Sequence, residues 1–412
     1  MRRDKMKKYV IVGGGVASVG CIEGIRSVDK EGEITLIARE NVLPYCRPLI
    51  SYYLEGKTDF EKMNYRPESF YKENGCRVLF GQAGELDAAK KTLRIDGKSV
   101  SYDSLCVATG SVPFVPPFEG LDTVPVKTSF MTEKDAEFLD AHIRKDSHVL
   151  IVGAGLIGLK CAEGIAERVS SVVVCDLADR VLSSILDEEC AVRMQKALEE
   201  KGVKFYLRNS VQSFDKTKAI LQDGTEVSFD ILVTAVGVRA EISLVKGIVK
   251  TERGILTDTR QKTSENDIYA AGDCCQGYDA SVGQNRVLAI FPNAFMQGFV
   301  AGVNMAGGNA TYGNGIPLNA IGFFGLHALT AGSYDGELLE EKDEKHIKRL
   351  FIRNDRLVGF MLIGEFSRAG ILTSLIRGKT PLSSVDWEKL KNIPVLSAFP
   401  VEKRKTILGG VI

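Results

Sequence analysis

The segment VIVGGGVAS at residues 10–18 sets three glycines directly after a run of β-branched apolar residues, and VLIVGAGLIG at 149–158 repeats the arrangement. Each apolar run reads as a buried parallel strand, and the Ala-, Glu- and Ile-rich sequence after each glycine run reads as a helix. Strand, tight turn and helix in that order describe a turn built for a pyrophosphate. The glycines let the backbone bend sharply and approach the phosphates, whose charge then sits against exposed N–H groups and the positive end of the helix. One such turn would be weak evidence. Two of them, with the further signature TSENDIYAAGD at 263–273, make coincidence a poor explanation.

At 412 residues the chain exceeds what one core usually serves, so two or three domains are expected. Its 44% hydrophobic and 26% charged content fits a soluble globular protein. The N-terminal MRRDKMKKYV passes directly into the first strand with no separate apolar region or cleavage site, and no apolar run reaches about 18 residues. No membrane span is therefore expected. The nine cysteines show neither C-x-x-C nor ferredoxin-type spacing, so no disulfide framework, bound iron–sulfur cluster or metal site is expected, and a reducing cytoplasm is the simplest location. A formal net charge of +0 excludes strong steering toward nucleic acid or anionic lipid. Residues 345–412 nevertheless hold 13 Lys/Arg against 5 Asp/Glu, a basic tail that is either a solvated surface or a docking face for an acidic partner.

The first unit runs from KKYVIV through a helix near 21–26 and the strand EITLIA at 33–38, closing with ATGS at 108–111. PFVPPFEG at 113–120 is linker chemistry, and DAEFLDAHIRK reads as a helix leading to the second fingerprint. That second unit continues through VSSVVVCD and VKFYL to ILVTAVGV at 231–238. TSENDIYAAGD lies beyond it yet belongs chemically with the first, so the second unit is expected to be inserted into the first. In the last segment RLFIR and RLVGFMLIG, separated by Asn354 and Asp355, read as a hairpin followed by a helix SRAGILTSLIRG. The expected fold is α/β, with two Rossmann-like nucleotide-binding domains and a small α+β domain at the C-terminus. The divisions fall at 1–111 with 246–321, at 112–245, and at 322–412.

SVVVCD ends in Asp176, about 20 residues past the glycines, where an acid bonds a ribose 2′-hydroxyl and repels a 2′-phosphate. No basic residue precedes Arg180, so NADH is expected over NADPH, held by Gly153, Gly155, Gly158, Asp176 and Gly237. The first fingerprint is less regular. Gly13 and Gly15 are followed by Ser18 in place of the third glycine, Ala38 occupies the usual acid position, and Glu40 is the nearest acid. FAD is assigned here because Arg47, in RPLIS, and the distant Gly272 and Asp273 together embrace a long cofactor. Asp273 would accept hydrogen bonds from ribityl hydroxyls, and the helix entered near Pro292 and Asn293 would aim its N-terminus at the electron-rich flavin carbonyls.

On these residues the chain resembles the FAD-dependent pyridine nucleotide-disulfide oxidoreductases over nearly all its length. LPYCRPLISYYLEGK, FPNAFMQGFVAGVNMAGG and NAIGFFG are most similar to NADH:rubredoxin and ferredoxin reductases and to the flavin module of NADH-dependent nitrite reductases. The resemblance implies that Arg47 contacts the FAD phosphates or ribose, that Asp273 holds the ribityl chain, and that Ala108, Thr109 and Gly110 lie in a loop covering the cofactor. It also implies hydride transfer from NADH to flavin N5 and release of single electrons to an iron–sulfur protein.

Departures from the family pattern bear on the acceptor. Disulfide reductases carry a C-x4-C pair, a C-x-x-C pair or one cysteine just ahead of Leu-Pro-Tyr, a position held here by Asn41. Cys46 lies on the other side of that motif, as a packing residue or a redox thiol. None of His142, His148, His327 and His346 is followed by the proline of the glutathione-reductase acid/base motif. Cys274 and Cys275 are two free thiols or a vicinal disulfide. Lys160 stands where relatives commonly place a glutamate near the nicotinamide, and it favours the anionic reduced flavin, contacts an acceptor, or lies on the helix surface. Two alternatives follow: an NADH oxidase or CoA-disulfide reductase using Cys46, and a flavoprotein subunit relaying electrons inside a larger redox complex. The basic tail and the apolar ending TILGGVI favour the latter.

Overall fold

The computed structural model describes residues 6–409, with side chains through 405; the start of MRRDKMKKYV and the side chains of the ending TILGGVI lie outside the described residues. The first fingerprint strand, Lys8–Val12, is the middle strand of a five-stranded parallel sheet. The order is Ile268–Ala270, Ser104–Val107, Lys8–Val12, Glu33–Ala38, Cys76–Phe80. Its side chains alternate between two cores, which is why the run is apolar throughout. Tyr9 and Ile11 pack with Cys21, Ile22, Ile25 and Met305 on the helical face, whereas Val10 and Val12 pack with Leu93, Ile95 and Tyr102 on the other. The latter three belong to or flank a small antiparallel sheet, Ala83–Asp87, Thr92–Ile95 and Lys98–Ser101.

The second fingerprint repeats this plan. His148–Val152 is the middle strand of a parallel sheet in the order Val203–Leu207, Ser171–Asp176, His148–Val152, Ile231–Thr234, Lys127–Thr128. Val149 and Ile151 meet Leu159, Ala162 and Ile165 of the fingerprint helix, while Leu150 and Val152 meet Phe214, Ala219 and Leu221 of a second three-stranded antiparallel sheet.

The outgoing and returning connections between the two parallel sheets run side by side, Ser111–Pro113 pairing antiparallel with Val238–Ala240. Val245, Val249 and Ile255 already pack into the first unit's core, so the return crossing falls at 238–240, a few residues before the division expected at 245/246. The last unit is a five-stranded antiparallel sheet, in the order Leu318–Phe323, Leu326–Gly332, Leu357–Ile363, Ile347–Ile352, Glu337–Lys342. Its first strand is continuous from Leu318, so a division at 321/322 would cut a strand whose hydrogen bonds run to Leu326–Gly332. Asn354 and Asp355 form its expected hairpin turn with φ of 51° and 57°, the left-handed geometry that matches strand twist. Helix Ala369–Arg377 covers the sheet, Leu372, Leu375 and Ile376 packing with Leu350, Phe360 and Leu362.

Four glycines fix how the helix Phe291–Met305 reaches the first sheet. It lies against the fingerprint helix Val16–Val28 so closely that a Cβ on Gly20 would fall 2.2 Å from the Phe295 carbonyl oxygen, and one on Gly24 equally close to that of Phe299. In return, a Cβ on Gly298 would lie 1.9 Å from the Ala17 oxygen and one on Gly302 2.1 Å from the Cys21 oxygen. Both obstacles are backbone and cannot turn aside. Gly298→Ala should therefore part the helices and cost about 3 kcal/mol as overpacking. We expect a thermal midpoint lower by roughly 5–10 °C. A midpoint within 1 °C of the unsubstituted protein would overturn this account of the helix contact.

Candidate cofactor and active site

The first glycine turn contains two glycines with different duties. Gly13 has φ +121°, and a Cβ there would lie 2.0 Å from the Ala108 carbonyl oxygen; its amide donates to Ile37 O at 2.8 Å. Gly15, the N-cap of helix Val16–Val28, has ordinary φ, and a Cβ there would meet nothing within 4 Å. That space lies in front of uncapped helix amides, where an anion fits. Ser18 is buried, and its hydroxyl donates to Gly15 O at 2.5 Å, so the helix's own first turn satisfies it. The matching position of the second fingerprint, Gly158, has no room for a side chain, since a Cβ there would fall 2.0 Å from Gly153 O.

Three segments far apart in sequence converge beyond this turn. Gly272 (φ +83°) is held by Gln297 of helix Phe291–Met305, which accepts its amide at 2.8 Å. Asp273 follows, and its Oδ2 accepts from the Ser111 hydroxyl at 3.2 Å. Burial pushes the Asp273 carboxyl above its ordinary range, and neither the Ser111 hydroxyl nor the positive charge of Arg47 cancels that effect. A partly buried carboxylate with one donor is under-bonded and suited to ligand hydroxyls. Thr109 donates to Glu241 O at 2.5 Å, tying the loop after Ala108 to the return crossing, and Gly110 (φ +71°) leaves open space beside it.

Arg47, with 41% of its side chain exposed, is ion-paired to Glu40 at 2.8 Å. Tyr45 donates to Glu40 at 3.3 Å and accepts the Glu133 amide at 3.0 Å. Asn293 is buried and donates to Ile316 O at 3.0 Å. The helix it belongs to starts without a side-chain cap and with Pro292 in its first turn. These residues fit FAD: an anion cradle at Gly15, an under-bonded carboxylate at Asp273 and a cation at Arg47.

In the second turn Gly153 (φ +118°) would carry a Cβ 2.3 Å from Ala235 O, while Gly155 faces open space. Asp176 accepts the Ala154 amide on Oδ2 at 2.6 Å and the Ala178 amide on Oδ1 at 2.7 Å. It thus fixes the turn and still offers lone pairs outward. Arg180 is turned into its own loop, bonded to Asp179 at 2.8 Å and to Leu186 O at 3.1 Å. Gly237 (φ +121°) also has open space around it, at the start of the return crossing.

Lys160 is not a surface lysine. It is 20% exposed, paired with Glu163, 3.4 Å from Gly322 O, and set over the rings of Tyr52 and Phe323 at 5.0 and 5.6 Å. Glu163 in turn accepts the Phe324 amide at 2.9 Å, a contact that joins the fingerprint helix to the third sheet and that residue spacing alone does not reveal. Cys46 is half-buried, and burial pushes its thiol up, away from the thiolate. Cys274 and Cys275 are both free and buried; Cys274 bonds the Val107 and Ala271 carbonyls and Cys275 that of Gly272, all at 3.3 Å. Among the described residues no cluster of His, Cys, Asp or Glu would hold a metal, and no helix is long and apolar enough to cross a membrane.

The family model described as pyridine nucleotide-disulphide oxidoreductase matches residues 7–298. The chain is 32% identical over 394 residues to the NADH-dependent phenylglyoxylate dehydrogenase subunit epsilon of Aromatoleum evansii, covering 91% of this chain and 93% of that one. It is 29% identical over 393 residues to the nitrite reductase (NAD(P)H) of Bacillus subtilis (strain 168), covering 92% of this chain but 48% of the relative, so it spans about half of that protein. Its fold matches the crystal structure of the covalent putidaredoxin reductase–putidaredoxin complex with a TM-score of 0.87, at 22% identity and 99% coverage of both chains.

Proposed function

Because the chain belongs to the pyridine nucleotide-disulphide oxidoreductases, enzymes that bind FAD and NAD(H), we propose that it oxidises NADH through FAD and passes electrons to an iron–sulfur protein. The pairing of two open glycine turns with the under-bonded Asp273 carries this reading. FAD, when bound, takes up a hydride and gives up its electrons singly.

The residues divide the work. Gly15 and the amides behind it, with Arg47, hold the FAD phosphates, while Asp273, backed by Ser111, holds the ribityl chain. The loop at Ala108, Thr109 and Gly110 covers the cofactor, and helix Phe291–Met305, with Asn293 in its first turn, directs its positive end at the flavin. Gly155 and Asp176 hold NADH in preference to NADPH: Asp176 repels a 2′-phosphate and Arg180 is engaged elsewhere. Residues before the outgoing crossing and after the return at Val238–Ala240 form the FAD unit, those between form the NAD unit, and the third unit begins at Leu318. Hydride transfer needs no protein acid or base, so orientation and electrostatics are the protein's contribution.

An external acceptor is favoured over a disulfide because no cysteine pair lies beside Leu43-Pro44-Tyr45 and burial disfavours the Cys46 thiolate. Mixing with NADH without oxygen should bleach the oxidised flavin band, and Cys46→Ser should keep rubredoxin or ferredoxin reduction within about twofold of the unsubstituted enzyme. Loss of turnover in Cys46→Ser would instead assign a thiol-dependent oxidase. The likeness to a subunit, over 93% of that relative's length, favours a role as the flavoprotein of a larger redox complex. Co-elution with iron–sulfur polypeptides from native extract tests that role, and a free monomer or homodimer argues against it.

A further inference from the structure

Residues 177–187 link Asp176 to helix Glu188–Glu199 and border the NADH site proposed above. Inside their own unit they are anchored at Leu182, whose amide donates to Ala154 O at 2.9 Å. Ala154 lies between Gly153 and Gly155, and its amide is the one that Asp176 accepts. A shift of this loop therefore reaches the glycine turn directly through the Leu182 bond and again through Asp176, which accepts the Ala178 amide as well.

The far end of the loop is held from outside, by the third sheet. Tyr334 donates its hydroxyl to Ile185 O at 3.0 Å. Arg349, only 10% exposed, is ion-paired to Asp187 and bonds Glu189 and Glu340 at 2.6 Å each. Asp187 is also the N-cap of helix Glu188–Glu199, accepting the Cys190 amide at 3.0 Å. Burial pushes its carboxyl up, but the Cys190 amide and the Arg349 guanidinium outweigh that and hold it below the ordinary range, so the pair is charged at neutral pH. Lys342 adds a bond to Glu189 at 3.0 Å, and Arg193 reaches back to Asp343 O at 2.7 Å.

We propose that Arg349 and Tyr334 are positioning residues for the pyridine nucleotide: the third unit clamps the 177–187 loop and thereby sets the affinity of the Asp176 site. A surface tether between units would not need a buried guanidinium on three carboxylates, whereas a loop that must present one geometry does. The proposal rests on the reading of Asp176 as an NADH site.

The test uses the FAD-loaded full chain, with NAD+ titrated calorimetrically and NADH kinetics measured beside it. Arg349→Gln takes the cation from Asp187 and leaves Glu189 and Glu340 to Lys342, and it should raise the NAD+ dissociation constant and the KM for NADH at least about tenfold. Tyr334→Phe removes one hydrogen bond while keeping the ring against Phe351, and should raise both about threefold to tenfold. In both variants kcat at saturating NADH, the KM for ferricyanide and the flavin content should stay within about twofold, because the interaction lost is uniform nucleotide binding. Arg349→Lys should recover part of the affinity. Should Arg349→Gln fail to fold, Tyr334→Phe decides alone. Unchanged NAD+ affinity in Tyr334→Phe, with the unsubstituted protein binding NAD+ normally, overturns the clamp and leaves the function standing. An unsubstituted protein that neither binds NAD+ nor is reduced by NADH overturns the NADH reading itself.

Discussion

Gly15→Ala should yield a folded protein that no longer retains FAD, whereas Gly13→Ala should accumulate little folded protein at all. The two glycines are two residues apart, but the space around them differs. An alanine methyl at position 13 would meet the Ala108 carbonyl at 2.0 Å on a backbone with φ +121°. That φ lies outside the conformations an L side chain adopts readily, so strain adds to the clash. At position 15 the φ is −89° and the methyl would occupy empty space in front of the helix amides, the space assigned to the pyrophosphate. The substitution at position 15 leaves the apoprotein untroubled and excludes the ligand. A thermal melt of the apoprotein within 2 °C of the parent, with flavin content reduced at least about tenfold, is the expected pair of results for Gly15→Ala. Full flavin retention in that variant would place the phosphates elsewhere.

Asp176→Ala should reduce kcat/KM for NADH by roughly 100-fold while reducing that for NADPH far less. A charge-assisted hydrogen bond is worth about 1.5–3 kcal/mol, or roughly tenfold to a hundredfold. Here the carboxylate also accepts the Ala154 and Ala178 amides, so its loss unfastens the glycine turn as well. NADPH loses the same turn support but is freed from repulsion of its 2′-phosphate, and the two nucleotides should approach equality. Steady-state kinetics with both donors measure the ratio, and a ratio unchanged from the parent would remove Asp176 from nucleotide selection.

What sequence could reveal followed the range of the interactions involved. Glycine turns, strands and hairpins are set by residues within a few positions of one another. EITLIA and VKFYL accordingly coincide with the strands Glu33–Ala38 and Val203–Leu207, and Asn354-Asp355 with the left-handed turn. The contacts that complete the site span long stretches of chain. Ser111 meets Asp273 and Arg349 meets Asp187 across 162 residues each, so no local period announces either. Gln297 as the support of Gly272 is likewise invisible, because a buried glutamine in an apolar helix has no spacing signature. Lys160 shows the limit from the other side. Its i,i+3 partner Glu163 is visible in the sequence, but whether Lys160 lies on the helix surface or turns toward a flavin or an acceptor depends on surroundings that include Phe323 and Phe324, more than 160 residues away.

The ribbon formed by Ser111–Pro113 and Val238–Ala240 means that the chain leaves the first sheet's unit and re-enters it through neighbouring strands, about 4.8 Å apart. For the host the intervening segment acts like a long excursion from a hairpin. Its two ends are already held together, so changes in its length add little closure entropy, which grows only logarithmically with loop size. Changes in the length of the intervening segment are therefore cheap for the host, whereas changes on the face it packs against the host, where a Cβ on Gly164 would lie 3.1 Å from Leu54 Cβ, are not.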